Sequence, residues 1–476
     1  MNLFGTLALI GWPVVVVALF ALLPPRRALV ISFMGAWLFL PVGGWALEGL
    51  PDYTKSTATT MSAFAAAMVF DSRRILALRP KWIDLPMLGW MVASFASAVV
   101  NGFGIYGGIS MMMGPLFEWA LPWVLGRAYF SDREGLAELA RGFFAGAVLY
   151  VPLILFENRM SGVLHGWIYG QSRGGYRYID SFGMLGFQPW VFMQNALALT
   201  LFMASASLIG FWLWRTRAAR TVFGWPISWC VPAVMVATVL CKSLGSNLIM
   251  VMGVTGLYLS SRLKRKVLLL ALLMGAPTYM ALRANGLWSG RDLVDFVAKF
   301  ATEERQASLA GRLDNEDLLI EHAQQRPWLG WSGWGRSLLW DPQTGRQITV
   351  ADGFWIIALG TTGIVGLASV TLALLLPALR MIWRHPAAAL GHPALAPAAA
   401  LAVAIGMYQI DCLFNAMLHP LFPLMAGGLA GLAIAGNAPR ALRHRGGGTW
   451  RQRPLAARPP AQAGLRPAVP AGESAR

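Results

Sequence analysis

The sequence predicts an all-α protein, a polytopic transmembrane helical bundle of about 12–13 spans with one large, partly helical extracytoplasmic loop. Three observations predict it. The chain is 56% hydrophobic and only 13% charged, roughly half the charged share of a soluble domain. Its apolar runs recur from end to end at helical length rather than as alternating segments of about ten residues, the signature of an outer-membrane barrel. Only helices satisfy such backbones internally in lipid. The basic residues collect in short loops after every second run, which is how cytoplasmic loops are marked.

The elements follow in order. The first run, residues 3–23, precedes Arg26 and Arg27, which hold its C-terminal end in the cytoplasm. It lacks a basic leader and a small-residue cleavage site, so it reads as a retained span. The second span is 28–47. The third, 56–70, is short and rich in Ala, Thr and Met, and Arg73, Arg74, Arg79 and Lys81 place the loop after it inside. Spans at 85–100 and 109–125 flank an outside turn at 101–108. Arg127, Arg133 and Arg141 surround a short amphipathic piece ahead of the sixth span, 143–156. Residues 157–188 form an outside loop containing Glu157, Arg159, His165, Arg173, Arg177 and Asp180. Spans follow at 189–214, 223–240, 244–260 and 267–282, with basic segments at 215–220 and at SRLKRK, 261–266. Beyond the large loop, 283–352, come 354–376, 394–413 and 421–435.

The chain therefore divides into a scaffold of ten spans (1–282), the large loop (283–352), the C-terminal spans (353–436) and a tail (437–476). The tail holds eight arginines against the single acid Glu473, and its Pro, Gly and Ala content is that of a disordered cytoplasmic segment. The formal charge of +17 suggests nucleic acid, but the placement of the basic residues argues for membrane lipids as partners and no nucleic acid. Cys230, Cys241 and Cys412 all lie in or beside apolar runs, so no disulfide framework is expected.

The large loop is the hydrophilic centre of the chain. It holds ten of the 22 acids: Asp292, Asp295, Glu303, Glu304, Asp314, Glu316, Asp317, Glu321, Asp341 and Asp352. Among them stand Arg283, Arg291, Arg305, Arg312, Arg326, Arg336 and Arg346. Two helices are expected. Residues 292–307 carry Leu293, Phe296, Val297 and Phe300 at helical spacing, and 308–325 repeat the pattern, with Ser308 as N-cap. On the second, Arg312 and Glu316 lie four apart, the spacing of a surface ion pair. Arg326-Pro327 ends it, and WLGWSGWGRS, 328–337, follows as a loop whose Gly330, Gly333 and Gly335 permit close backbone approach.

These residues carry a resemblance. SLAGRLDNEDLL around Arg312, then Arg326, Pro327, Leu329, Gly330, Gly333 and Gly335, then DGFWIIALGTTGIVGL at 352–367 with Gly360, Gly363 and Gly366, look like the O-antigen ligase and O-antigen polymerase superfamily. CKSLGSNLIMVMG, 241–253, is similar to that family's Ser-Arg-Gly-type span start, with Lys242 standing for its charge. The resemblance implies a membrane glycosyltransferase without metal or cofactor. Such an enzyme takes a glycan from a polyprenyl diphosphate-linked donor to a glycan or lipid acceptor on the outer face of the bacterial cytoplasmic (inner) membrane.

The residues present suit that chemistry. Negative charge develops on diphosphate oxygens, and arginine binds such oxygens through a planar, permanently charged fork. Arg312 is the candidate for this role, assisted by Arg283, Arg336, Arg173 or Arg177; most tryptophans read as interface anchors, but Trp328, Trp331 and Trp334 in the glycine-rich loop are placed for acceptor contact. The bland reading of Arg312 is its pairing with Glu316. Where many family members have histidine followed by asparagine, this chain has Asp352-Gly353. A desolvated carboxylate can take a proton in its place; the bland reading of Asp352 is a helix N-cap. The missing histidine leans the expectation toward an exopolysaccharide polymerase, with the ligase second. Asp411, Asn415 and His419 are spaced to share one helix face, and an acid within a span points to function; the alternative is a structural network between helices. The rival class is a polysaccharide or lipid-glycan transporter, which predicts internal repeats and interrupted helices. No repeat is evident. The sequence contains no His/Cys/Asp metal cluster, phosphate-binding loop or nucleophile elbow.

Overall fold

The structure, a computed structural model, describes residues 1–46, 51–171, 177–181, 184–299 and 303–434. In chain order its helices are α1 (Leu3–Leu22), α2 (Pro25–Phe39), α3 (Lys55–Leu76), α4 (Leu85–Ala98), α5 (Gly104–Pro115), α6 (Leu121–Tyr129), α7 (Arg133–Met160), α8 (Leu164–Tyr169) and α9 (Ala196–Arg215). Then follow α10 (Ile227–Leu240), α11 (Leu244–Leu263), α12 (Val267–Ala284), α13 (Arg291–Ala298), α14 (Glu303–Gln324), α15 (Phe354–Arg384), α16 (Ala396–Asp411) and α17 (Leu421–Ile434). The protein is a mostly helical bundle. Among the described residues, seven helical stretches are long and apolar enough to cross a membrane, and α10, α16 and α17 are shorter apolar helices. The described strands form only two-stranded hairpins, such as β1 (Gly44–Trp45) with β2 (Tyr53–Thr54) and β3 (Tyr178–Ser181) with β4 (Met184–Phe187).

Helix starts follow local chemistry. Asn2, Asp132 and Asn195 cap α1, α7 and α9 by accepting the N–H groups of Gly5, Gly135 and Ala198 at 2.8–2.9 Å. The core is built on α9 and α16, which are buried nearly all round, as expected of helices enclosed by other helices. On α6 and α17, glycines bring backbones together: a Cβ on Gly126 would sit 2.1 Å from the Leu424 carbonyl oxygen, and one on Gly427 2.1 Å from that of Trp123. Small residues at helix contacts are how packing is won without a hydrophobic drive in lipid.

Side-chain ties sort the connections into two ends. At one, Arg26 pairs with Asp132, Arg27 with Glu138 and Arg127 with Asp84, while Lys266 Nζ donates to the Trp383 carbonyl at 2.7 Å. At the other, the Asn2 side-chain amide donates to the Ile168 carbonyl, Asn158 donates to the carbonyls of Phe187 and Leu240, and Arg326 reaches Asn101.

Several boundaries differ from expectation. α2 stops at Phe39 rather than running to 47, because Pro41, Gly43 and Gly44 follow. The separate amphipathic piece before the sixth span does not exist; α7 runs unbroken over 28 residues. α9 starts at Ala196 rather than 189, since the backbone ahead of it is held by Glu157. That carboxylate is fully buried and accepts the N–H groups of Leu164, Trp190 and Val191 at 2.7–3.1 Å. Ser308 does not cap a helix, because α14 is already under way from Glu303. α16 ends at Asp411, so Asn415 and His419 lie beyond it rather than along one helix face. All three cysteines are free and buried. The tail, 437–476, lies outside the described residues.

Candidate functional site

The large loop is docked onto the bundle rather than suspended from it. Leu313, Leu319, Ile320 and Ala323 of α14 pack in one apolar cluster with Tyr279 and Met280 of α12, Trp355, Ile356 and Leu359 of α15, and Leu413. Beside this cluster lies a buried charge network. The Arg283 side chain is 1% exposed and that of Glu316 is 6% exposed. Arg283 Nε meets Glu316 Oε2 at 3.3 Å, Nη1 meets Asp317 at 2.8 Å and Nη2 donates to the Leu313 carbonyl at 3.0 Å. Tyr279 Oη donates to Glu316 Oε2 at 2.8 Å and Trp355 Nε1 to Oε1 at 3.2 Å. Burial holds the Glu316 carboxyl above its ordinary range, and the hydrogen bonds from Tyr279 and Trp355 and the Arg283 charge pull against it.

This network decides the partner of Arg312. The expected Arg312–Glu316 surface pair is absent because Glu316 turns inward. Arg312 Nε lies 3.4 Å from Asp352 Oδ2 instead, with the two side chains 31% and 45% exposed. Asp352 is not the N-cap of α15 either. Gly353 holds that position without a side-chain cap. The backbone around the pair is fixed: Val350 N–H donates to Asn315 Oδ1 at 2.9 Å, Phe354 N–H to the Asn415 carbonyl at 3.1 Å and Trp355 N–H to the Cys412 carbonyl at 3.3 Å. Asp411 is buried at 2% exposure. Its Oδ1 accepts from Asn415 at 3.0 Å, and its Oδ2 has no partner among the described residues. The Arg312 guanidinium lies within electrostatic range of it. Arg312, Asp352 and Asp411 thus converge where α14, α15 and α16 meet.

The glycine-rich loop is keyed into a break in α15. Gly363 has φ +65° and ψ −167°, a conformation essentially confined to glycine. The N–H groups of Trp331 and Ser332 donate to the carbonyls of Gly360 and Thr361 at 2.8 and 2.9 Å. Those of Ile364 and Val365 donate back to Pro327 and Trp328 at 2.7 and 3.2 Å. Gly330 and Gly363 allow this approach: a Cβ on either would lie within 2.6 Å of backbone opposite. Asn101 locks the loop, donating to the Gly330 carbonyl at 3.0 Å, while its own carbonyl accepts from Arg336 Nη1 at 3.0 Å.

The other expected residues are placed as follows. Trp331 stacks on His322 at 4.5 Å with Arg326 over its ring at 4.4 Å. Arg336 is exposed and lies 5.3 Å over Phe103. Lys242 is buried at 3% and donates to the Ile179 carbonyl at 2.8 Å, so it serves the β3–β4 hairpin rather than the Arg312 pair. Arg177 is exposed, and its carbonyl accepts from Gln188 at 2.9 Å. Arg173 lies outside the described residues. No group of three or more His, Cys, Asp or Glu arranged to hold a metal occurs among the described residues. Sequence reasoning missed Tyr279, Trp355, Asn101 and the buried state of Glu157. It also missed that His419, tilted against Trp37 with ring centroids 3.9 Å apart, is buried with neither ring nitrogen bonded among the described residues. No known family model matches the chain, and a search of curated proteins finds no match.

Proposed function

We propose that this chain is a membrane glycosyltransferase that moves glycan units from a polyprenyl diphosphate carrier on the outer face of the bacterial inner membrane, and that it polymerises an exopolysaccharide. In this reading the seven long stretches, with Trp82–Tyr129 crossing twice, and α2, α3, α10, α16 and α17 make a set of about thirteen passes, which puts residues 283–352 outside and the basic tail in the cytoplasm. The supporting observation is the Arg312–Asp352 pair. It stands half-exposed, on a helix held to the bundle by a sequestered ion network.

The chemistry follows from that pair. The donor diphosphate takes the place of Asp352 on the Arg312 fork. As the bond between the sugar's anomeric carbon and the diphosphate oxygen breaks, the electron pair leaves with the diphosphate, and Arg312 stabilises the charge that develops. The acceptor hydroxyl oxygen forms the new bond to that carbon and gives its proton to the freed Asp352 carboxylate. Arg283, with all its nitrogens engaged internally, positions α14 rather than touching substrate. Arg336 and Trp331 belong to the keyed loop, where they meet Asn101 and His322 and not the Arg312 pair.

A ligase that delivers finished glycan to a lipid acceptor would use the same pair; chain length separates the two. The rival transporter gains one observation, the interruption of α15 at Gly363. In transporters such breaks expose backbone groups to a substrate or ion. Here the loop at 327–332 occupies them, which favours the enzyme. The deciding experiment compares surface glycan and carrier-linked glycan in a deletion strain complemented with wild type, Arg312→Ala or Asp352→Ala. Single repeat units stranded on the carrier support a polymerase, and full-length polymer stranded there means a ligase. Wild-type glycan in the deletion strain or in both variants rejects the assignment.

A further inference from the structure

At the opposite end of the helices from Arg312, a cavity of about 280 Å³ opens between the end of α3, the start of α4 and the end of α6. Its wall is almost entirely apolar, formed by Ile75, Leu78, Met87, Leu88, Met91 and Val124. The surface beside it is apolar too: Leu76, Leu85 and Val92 are each more than 60% exposed. Trp82, half exposed with Arg380 over its ring at 4.8 Å, marks the level at which an interfacial aromatic sits. This is a cleft open to acyl chains.

Its polar end has a definite sign. Arg79 lines the mouth and Lys81 follows two residues later. Both are exposed, and neither has a carboxylate partner among the described residues. Behind them Arg127 lines the cavity at 9% exposure. Its Nη1 is held by Asp84, which also accepts from Trp123 Nε1 at 3.0 Å and from the Lys81 N–H at 2.8 Å. Its Nε is buried with no partner among the described residues. Its Nη2 reaches the Arg79 carbonyl at 3.5 Å, so Arg127 is held in place behind the mouth, and the charges left exposed there are those of Arg79 and Lys81.

We infer that this cavity is a binding site for an anionic phospholipid, with the phosphodiester on Arg79 and Lys81, the Arg127 charge behind them, and an acyl chain along Met87, Met91 and Val124. The charge is matched by an anionic headgroup, and the slot by a hydrocarbon chain. Basic recesses between membrane helices are suited to such lipids. The inference requires only that the helices lie in a membrane and does not depend on the sugar-transfer reading.

The test uses full-length protein in detergent titrated with phosphatidylglycerol, with retained lipid counted by native mass spectrometry and the thermal midpoint followed in parallel. Wild type retains one phosphatidylglycerol that Arg79→Gln/Lys81→Gln loses, with apparent affinity weaker by about 30-fold for two interfacial cations. Arg217→Gln/Arg220→Gln, which removes the same charge away from the cavity, keeps it. Val124→Trp, which fills the acyl slot, loses the lipid with the charges intact. Phosphatidylcholine and inorganic phosphate at the same concentrations leave the midpoint unchanged. Equal retention by wild type and Arg79→Gln/Lys81→Gln overturns the site, and so does an equal midpoint shift with inorganic phosphate alone. Should Val124→Trp not fold, the surface double variant decides by itself.

Discussion

Gly363→Ala is the sharpest probe of how the cap is attached to the bundle. At φ +65° and ψ −167° an alanine is strained whatever the space around it, at a cost of about 1–3 kcal/mol. Space is also lacking: the added Cβ would lie 2.3 Å from the Trp328 carbonyl oxygen and 2.5 Å from the Leu329 nitrogen. Because both are backbone atoms, relief requires the loop at 327–332 to move. That movement breaks some of the four backbone hydrogen bonds joining loop and helix, each worth about 0.5–1.5 kcal/mol. Losing two of them brings the total to roughly 2–6 kcal/mol. The control is Gly311→Ala in α14, where an added Cβ meets nothing within 4 Å and helix propensity predicts a gain of about 1 kcal/mol. Thermal unfolding in detergent, followed by tryptophan fluorescence, should show a large fall in midpoint for Gly363→Ala and a small rise for Gly311→Ala. A Gly363→Ala protein as stable as wild type would refute the keyed-loop account.

Other expectations concern the buried charges. Arg283→Ala strands Glu316 in the interior and should cost about 3–5 kcal/mol, whereas Arg283→Met/Glu316→Leu should recover much of that loss; a double variant no better than the single one contradicts this. Because burial raises the Glu316 pKa, its titration favours the folded state below the ordinary carboxylate value near 4.5. That contribution is lost as pH rises through the folded value. The wild-type midpoint relative to Glu316→Gln should therefore decline across that window, and parallel pH profiles would count against it. Glu157→Ala leaves three backbone N–H groups without their acceptor. At about 1.5–3 kcal/mol per charged hydrogen bond, residues 157–192 should become open to limited proteolysis while the rest stays protected; unchanged protection would sink this role.

What the sequence disclosed depended on how local the cause was. The apolar runs and basic loops located the helices, because both signals are contained in each segment. Gly330 announced close backbone approach, which glycine tolerates best, although not that it meets α15 at Gly360 and Gly363. The partner of Arg312 was not legible. Spacing favoured Glu316, four residues away, but Glu316 is drawn inward by Tyr279 and Trp355, which lie 37 and 39 residues from it in sequence. Helix ends failed for similar reasons: α9 begins late because a carboxylate 33 or more residues upstream claims the preceding amides. Long-range polar contacts of this kind leave no periodic trace.

The interlock at Gly363 also constrains traffic. A cap joined to the membrane helices by a flexible hinge can lift and admit a bulky molecule from above. This one shares backbone hydrogen bonds with residues 360–365 inside α15 and is pinned a second time through Asn101. Lifting it would unzip a helix, so cap and helices shift as one piece; under the proposed sugar-transfer reading, the carrier-linked donor has to arrive sideways, through a gap between neighbouring helices.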